Sequence, residues 1–503
     1  MKQTIIIIFC VTLISKVLGF FRDIVLAFSF GASTTSDIYL ISLTIPEVLF
    51  AFVAVGISTS YIPIINLIEN KHGEKRVIEF TNSLINSLIV IATIIIMLTV
   101  IFTEQIIIVF ASGFQGAVLE TAILYTRITV ISIYFSGVIY VYKSLLQFKN
   151  IHVISASLGI PLNIIIIFSI LGASKFDEIY LPFGFVLAVL LQLIILSIFV
   201  YKNKYYYQPK VNFRDKYLKR MMFLSLPIIM GLSINQINIL VDRTLASQIV
   251  EGGIAALNYA NKLNVFVQGI FIITISNLIY PSISKMALKK NFIGFNKVIN
   301  DSISNVLIIL APSTVIFMLF SYEIIELLFG YGAFDEKAII LTSEALFYYS
   351  LGMIGFGLRE VLSRGFYAFE DTKTPMKNAA ISVAINILLN FVLSKYMGLN
   401  GLALATSISA SIGTILLYFS FKKSYSDGSG KVIKIIFKPI IGSIVMGISC
   451  NFINKILLFY VNSFIALLIS ISMGLGIYLL SLWVMNVPQV TNFIRSLKQK
   501  NKY

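Results

Sequence analysis

Seven of the 39 lysines and arginines stand inside apolar stretches long enough to cross a bilayer, and their types and spacing bear most on chemistry. A charge in that setting lines a wet cavity or is paired. The first stretch carries Lys16, Arg22 and Asp23. Residues seven apart share a helix face. Ser15 with Arg22, and Lys16 with Asp23, therefore make a polar stripe with Gly19 between them. At about 1.5 Å per residue, Lys16 lies near mid-bilayer and Arg22 in the outer half. Asp242 and Arg243 stand at the equivalent height of a later stretch. Guanidinium groups fork onto phosphate oxygens. Arg22 and Arg243 facing one water-filled cavity would therefore take an anionic substrate, with Lys16 as a point charge and Asp23 and Asp242 as partners of the guanidinium groups. Asp37 and Glu47 lie in the second stretch. Glu47 follows Pro46, where a helix loses one ladder bond, and fits an ion or proton site or a cap of the kink. Arg127, Lys262 and Arg359 read better as helix-end snorkelling or structural ion pairs. Arg364, close to Glu360, is a secondary candidate alongside Glu47 and Asp242.

Catalytic constellations are absent from the sequence. His72 and His152 have no metal-ligand spacing with another His or Cys. Cys10 and Cys450 sit in apolar stretches and support neither a disulfide framework nor a thiolate site. No Walker loop occurs, so no ATP-hydrolysing site is expected. A basic cavity without a nucleotide site points to secondary transport rather than to an enzyme, with no cofactor beyond a coupling ion such as Na+, and no metal site can be assigned.

The elements that position these charges follow from composition. Of 503 residues, 58% are hydrophobic and 12% charged, with a mean hydropathy of +0.91. Soluble proteins are roughly a quarter charged, which excludes a soluble enzyme, a disordered chain and a secreted disulfide scaffold. Apolar runs exceed the ~10-residue alternation of a barrel strand. The expectation is an all-α polytopic membrane protein with fourteen transmembrane helices, at about 4–30, 37–66, 80–102, 120–147, 152–172, 180–201, 222–248, 255–284, 300–321, 337–368, 376–394, 400–421, 435–454 and 462–485. With the N-terminus inside, 28 of the 39 cations fall on the cytoplasmic side and four outside. That asymmetry follows the positive-inside rule and predicts two cytoplasmic termini. The net charge of +16 is then orientation charge facing anionic membrane lipids; nucleic acid is not an expected partner. No small-residue cleavage site follows the first apolar core, so the first stretch is read as a retained helix rather than a signal peptide.

A basic linker at 203–221, with Tyr205–Tyr207 and Pro209, separates an N-lobe of six helices (1–202) from a second six-helix lobe (222–424). A shift of 221 residues places Arg22 on Arg243, Gly31 on Gly252 and Asp37 on Asn258, and a shift of 218 places Pro63 on Pro281. Two pseudo-symmetric lobes of even helix number imply a parallel repeat about the membrane normal. Two further helices (432–486) and a cytoplasmic tail (487–503) complete the chain. Gly442, Gly447, Gly474 and Gly476 allow close helix approach there.

Residues 15–23, SKVLGFFRD, followed by Asp37 and Pro46, resemble the opening of the MurJ family, lipid II flippases of the multidrug/oligosaccharidyl-lipid/polysaccharide superfamily. Residues 239–262 are similar to that family's helix 7–8 region, SRGFYAFEDTKTP at 363–375 to its helix 10–11 junction, and GLALATSIS at 401–409 to its helix 12. The resemblance runs along essentially the whole chain. It implies an alternating-access flippase in a bacterial cytoplasmic membrane, acting as a monomer on lipid II or a related undecaprenyl-pyrophosphate glycolipid. Helices 13 and 14 would form a groove for the lipid tail. Lys16 stands where many members have Arg; Arg22, Asp23, Asp37 and Arg243 match cavity residues directly. Asn386, Asn390 and Thr406 resemble positions that line a sodium site in some members. Asn390 replaces an Asp of the sodium-binding members, and Phe50, Ala51 and Val55 stand where members often have an Arg pair and a Glu. The resemblance with these departures leads us to expect membrane potential rather than a sodium gradient as the driving force. The rivals are a Wzx-like flippase for another undecaprenyl-linked glycan and a multidrug or cation antiporter, which would want an acidic cavity. A membrane-embedded glycan polymerase or ligase would need large external loops, whereas the longest here is about 105–119.

Overall fold

The computed structural model describes residues 2–209, 212, 215–425 and 432–492. The cytoplasmic tail expected beyond 492, with its four cations, lies outside the described residues, as do Lys210, Arg214 and Lys431. The chain divides into two compact units, Met1–Ala255 with Tyr331–Asp335, and Ala256–Gly330 with Glu336–Tyr503. Among the described residues there is no strand.

The first unit holds α1 (Lys2–Phe30), α2 (Thr34–Ile101), α3 (Thr103–Phe110), α4 (Gly116–Thr129), α5 (Ser132–Phe148), α6 (His152–Ser157), α7 (Gly159–Ala173), α8 (Tyr180–Lys202) and α9 (Lys216–Ile249), with the first residues of α10 (Gly253–Leu288). The second holds the rest of α10, α11 (Phe292–Leu319), α12 (Ser321–Phe329), α13 (Glu336–Ser350), α14 (Met353–Tyr367), α15 (Lys373–Met397), α16 (Leu399–Tyr425), α17 (Val432–Leu457) and α18 (Ser463–Val484). Helix underlies each of the fourteen expected spans. Among the described residues nine helices are long and apolar enough to cross a membrane, or ten if the bent pair α13–α14 is one span. One of the nine is α2, whose 68 residues would extend about 100 Å if straight, against a hydrocarbon core of ~30 Å, but the helix folds back on itself, so that the Tyr61 hydroxyl meets Thr81 Oγ1 at 2.7 Å. Its one non-helical residue is Gly73 (φ 76°, ψ 176°), so the second and third expected spans meet there without a loop.

Three expected spans are broken. α4 gives way to α5 at Val130–Ile131, α6 to α7 at Leu158, and α13 to α14 at Leu351–Gly352 with a 43° bend. The last break has a visible cause. A Cβ on Gly352 would lie 2.7 Å from the Ser407 Cα of α16, so the glycine admits that helix closely. The Ser407 hydroxyl then donates to the Tyr348 and Tyr349 carbonyls (2.6 and 3.2 Å), and the Tyr349 carbonyl also accepts from the Gly352 amide (3.1 Å).

The repeat suggested by sequence recurs in the backbone. Left-handed residues stand at Gly31 and Gly252, at Gly73 and Lys290, and at Asn150 and Glu370. Each second member follows the first by between 217 and 221 positions, the offset that aligns Arg22 with Arg243. Short α3 and α12 likewise begin 218 residues apart, in connections that had been expected to be loops.

The segment after α8 had been expected to be a linker, but its described residues are docked. Tyr205 is 3% exposed and its hydroxyl donates to Asn82 Oδ1 of α2 (2.6 Å), which also accepts from the Gln208 amide (3.2 Å). The Tyr207 hydroxyl bonds Asn86 Oδ1, and Asn86 Nδ2 returns a bond to the Gln208 carbonyl (3.2 Å). Asp215 then caps α9 through the Tyr217 amide (2.8 Å) and pairs with Arg76 of α2 (2.5 Å). In the second unit the corresponding end is closed by rings instead: Tyr425 stacks on Phe369 at 4.3 Å and packs against Phe366 at 5.4 Å, while Asn296 donates to the Tyr425 carbonyl (2.8 Å). α17 packs against α11 and α18, and a Cβ on Gly474 would strike Cys450 Sγ at 2.0 Å, so this glycine sets the α17–α18 approach.

Candidate functional site

The stripe on α1 is built as the spacing suggests. Arg22 donates from Nε (3.1 Å) and Nη2 (2.7 Å) to Asp23 Oδ1, and from Nη1 to Asn163 Oδ1 on α7 (3.3 Å). Asp23 and Asn163 are 3% and 5% exposed, so the guanidinium is seated in protein on one side. Asn163 Nδ2 donates to the Ser15 and Gly159 carbonyls (3.2 and 2.8 Å). Carbonyls only accept, so the amide NH2 must face them and the amide oxygen must face Arg22. Gly159 permits the approach, since a Cβ there would lie 1.9 Å from Ser15 Oγ. The arginine thus projects from a cradle whose orientation is fixed through two helices.

Asp37 and Arg243 meet at a different place, the turn between α9 and α10. Buried Asp37 accepts from the Gly252 and Ala255 amides (2.9 and 2.7 Å), and a carboxylate suits the amides of a helix N-terminus. Arg243 Nη1 donates to the Ile254 carbonyl of the same turn (3.3 Å). Asp242 accepts from Asn238 Nδ2 (3.3 Å). Lys16 and Glu47 are exposed on their helices, and Pro46 is buried within α2 without ending it.

In the second unit Arg364 pairs with Glu360 (3.0 Å) and lies 5.7 Å from the Tyr280 ring, while Arg359 lies over Phe356. Asn386 Nδ2 donates to Thr406 Oγ1 (3.3 Å) and Asn390 Nδ2 to Asn386 Oδ1 (3.1 Å), so the three are brought together as a neutral chain of amides and hydroxyl. Among the described residues no three His, Cys, Asp or Glu side chains gather as a metal site. Phe50, which replaces an expected cation, is 4% exposed and packs with Tyr140 at 6.4 Å; it belongs to the core of the first unit.

Asn163 was missed from the sequence. The signal was a lone amide in the run IPLNIIII, four residues after Gly159. Outside the spans, the junction residue Asp371 accepts from the Thr374 amide (3.0 Å) and hydroxyl (2.7 Å) at the start of α15. Burial works to raise its pKa, but the Thr374 bonds, the Lys373 amide and the Lys373 charge outweigh burial and hold the carboxyl below its ordinary value.

The model of the family described as lipid II flippase MurJ matches residues 26–470. The chain is 27% identical over 475 residues to a probable lipid II flippase MurJ of Buchnera aphidicola subsp. Baizongia pistaciae, covering 92% of this chain and 91% of that one. It is 31% identical over 414 residues to the protein so named in Buchnera aphidicola subsp. Acyrthosiphon pisum (81% of each) and 29% identical over 437 residues to that of Thermotoga maritima (87% of each). A solved structure of lipid II flippase MurJ in an inward closed conformation superposes with a TM-score of 0.83 at 29% identity, covering 95% of this chain and 98% of that one. An inward-facing multidrug resistance MATE family transporter of the MOP superfamily matches with a TM-score of 0.68 at 14% identity, over 82% and 96% of the two chains, a likeness of fold.

Proposed function

This chain belongs to the MurJ family of lipid II flippases, and from that premise we propose that Arg22, seated by Asp23 and Asn163, receives the pyrophosphate of lipid II as the lipid crosses a bacterial cytoplasmic membrane. The protein is a multi-pass membrane flippase carrying the undecaprenyl-pyrophosphate-linked peptidoglycan precursor. The observation that carries the site assignment is the double seat of the guanidinium, which fixes a strong phosphate donor at a defined height on α1. Lys16 adds a second cation on the exposed side of the same helix. Arg243 and Asp37 serve the cycle by fastening the α9–α10 turn. Both termini are placed in the cytoplasm by the distribution of Lys and Arg, the exposed face of α17 and α18 takes the lipid tail, and the flippase works as a monomer by alternating access as a secondary transporter.

For the driving force we favour the membrane potential. In the Asn386–Asn390–Thr406 chain the Asn386 oxygen and the Thr406 hydroxyl already accept bonds, and these three side chains bring no negative charge to compensate a sodium ion. One charge crossing the full field exchanges ~2.3 kcal/mol per 100 mV. The core position of Phe50 favours a second reading of the substrate, a different glycan on the same carrier, because it leaves the path one cation poorer than in many members. Purified protein in proteoliposomes, supplied with labelled lipid II or an undecaprenyl-pyrophosphate glycan lacking the peptide, tests both. We expect lipid II to move when a potassium–valinomycin potential is imposed alone. Movement of the other glycan only would overturn the substrate assignment, and movement with sodium only would overturn the driving force.

A further inference from the structure

The turn between α10 and α11 is the repeat counterpart of the Gly73 turn inside α2, and the two are made of different chemistry. Between buried Ile68 and Val77 the first turn has no apolar side chain and carries both signs of charge. Its charges are engaged within the protein: Glu74 pairs with Lys149 (3.2 Å), Arg76 pairs with Glu79 and Asp215, and His72 bonds the Tyr217 hydroxyl (2.9 Å). From Lys285 to Lys297 the second turn carries four lysines and no acid. Lys285, Lys289, Lys290 and Lys297 are all exposed. Leu288 and Ile293 stand out among them, 84% and 76% exposed, while Ala287 and Phe295 pack into the core and Phe292 stacks on Phe369 (5.9 Å).

The backbone adds an independent sign. Lys290 is left-handed (φ 52°) at the place where Gly73 stands in the first copy. A side chain is strained in that conformation and glycine is not. The turn closes through backbone and cap: the Lys290 and Asn291 amides donate to the Ala287 and Met286 carbonyls (2.9 and 3.0 Å), and Asn291 Oδ1 accepts from the Gly294 amide (2.9 Å). A lysine at a position that suits glycine points to a use for its charge.

We propose that the α10–α11 turn is an anchor in the cytoplasmic leaflet, with Leu288 and Ile293 entering the boundary between headgroups and acyl chains and the four lysines holding anionic phospholipid. Interfacial segments bind by this sum of buried apolar area and attraction to anionic lipid. Lysine clusters directly cytoplasmic of a membrane helix recognise anionic headgroups in the same way. Leu288 lies four residues, about 6 Å, beyond the expected end of its span at 284. That depth falls in the headgroup layer, which adds ~5–8 Å on each side of the hydrocarbon core. Depth and charge together favour a lipid surface over a soluble protein. The proposal rests on the cytoplasmic placement of this turn by the Lys and Arg distribution, and not on what is transported.

The test uses full-length protein in nanodiscs with Cys10 replaced by serine. An environment-sensitive dye is placed through Ile293→Cys or, as the control, through Asn70→Cys, at an exposed residue of the first turn. Native Cys450, fully buried, must stay unlabelled and so reports on folding. Lipid that carries a spin label near its headgroup quenches a dye at that depth. In phosphatidylcholine with about 40% phosphatidylglycerol, quenching at position 293 is expected to exceed that at position 70 by about threefold or more. A lysine near an anionic surface is worth about fivefold in partitioning. Lys289→Gln with Lys290→Gln, or phosphatidylcholine alone, should therefore lower quenching at position 293 by about twofold or more. Lys290→Gly separates anchoring from the stability of the turn: it should lower quenching without lowering the unfolding temperature, since glycine suits the conformation. Equal quenching at the two positions, or quenching at position 293 unchanged by loss of both lysines, would overturn the anchor. Shielding of position 293 from a water-soluble quencher only when cytosolic protein is added would assign the turn to a protein partner and overturn it as well. Labelling of position 293 by an impermeant maleimide from outside intact cells would overturn the cytoplasmic orientation, a failure distinct from lost quenching in a nanodisc whose two leaflets are alike.

Discussion

Arg22 and Arg243 occupy matched positions of the repeat and reach different kinds of acceptor. Arg22 is gripped by side chains, the Asp23 carboxylate and the Asn163 amide, in a cradle between α1 and α7. Arg243 reaches back to a backbone carbonyl, Ile254, in the turn that Asp37 also caps. Beside them, Asp23 binds Arg22 and Asp242 accepts from Asn238. On our reading the duplicated arginine presents a cation in one copy and fastens a turn in the other. Matched depth in a repeat is a guide to position and a poor guide to role.

The largest expected effect comes from breaking the presented side of this comparison. Arg22→Ala should abolish transport, a loss of at least about 100-fold for removal of a charge-assisted phosphate contact, while expression persists. Lysine sharpens the contrast. At 22 it cannot reproduce the three bonds of the guanidinium and should rescue little. At 243 the bond to the Ile254 carbonyl is within reach of an ammonium, so Arg243→Lys should keep much more of the parent rate, although Arg243→Ala should be inactive. Equal rescue at both positions, measured by complementation of a flippase-depleted strain, would erase the distinction.

Asn163→Leu is expected next in size, a fall of about tenfold in transport from loss of the seat. Asn163→Asp should not rescue it, because a carboxylate would face the Ser15 and Gly159 carbonyls in place of the NH2 group. Wild-type flipping in Asn163→Asp would show that charge alone, and not the amide's orientation, supports Arg22.

A second contrast separates the two units at the end predicted to be cytoplasmic, with polar bonds through Asn82, Asn86 and Asp215 in one and stacked rings around Tyr425 in the other. Asp215→Ala removes both the buried partner of Arg76 and the α9 cap, and because Arg76 is partly exposed and keeps Glu79 (3.2 Å) it should destabilise the protein by about 1–2 kcal/mol, read as a lowered unfolding temperature in detergent. The smallest effect belongs to Asp371. Its carboxyl has a lowered pKa in the folded protein, so its stabilising contribution is present above the unfolded-state pKa and is lost as pH falls through the folded one. Asp371→Ala should cost about 1 kcal/mol at neutral pH, the scale of a helix cap, and less once the parent carboxyl is protonated. A penalty independent of pH would assign the effect to something other than the ionised cap.

Much of this was legible in the sequence because bilayers impose simple rules. Apolar length gave the spans, and seven-residue spacing gave the Ser15–Gly19–Arg22 face of α1. The offset that aligned Gly31 with Gly252 reappears as paired left-handed residues. What stayed hidden depends on contacts between distant segments. Nothing near Asp37 says that its carboxylate caps a helix more than 200 residues away, and an asparagine in the middle of IPLNIIII carries no mark of its partner. The stretch from Tyr205 to Gln208 read as linker because its composition is that of one; Asn82 and Asn86, spaced one helical turn apart on α2, are what fix it. The helix break at Leu351–Gly352 was missed because hydropathy does not register the Ser407 hydroxyl on the neighbouring helix.

The central claim is that Arg22 in its cradle is the phosphate donor of a lipid II flippase. The most direct test measures the initial rate of labelled lipid II translocation in proteoliposomes for the parent, Arg22→Lys and Arg22→Ala proteins, reconstituted at equal density. The account predicts a measurable parent rate, a small residual rate for the lysine variant and none above empty vesicles for the alanine variant. An alanine variant that moves lipid II at the parent rate would contradict it.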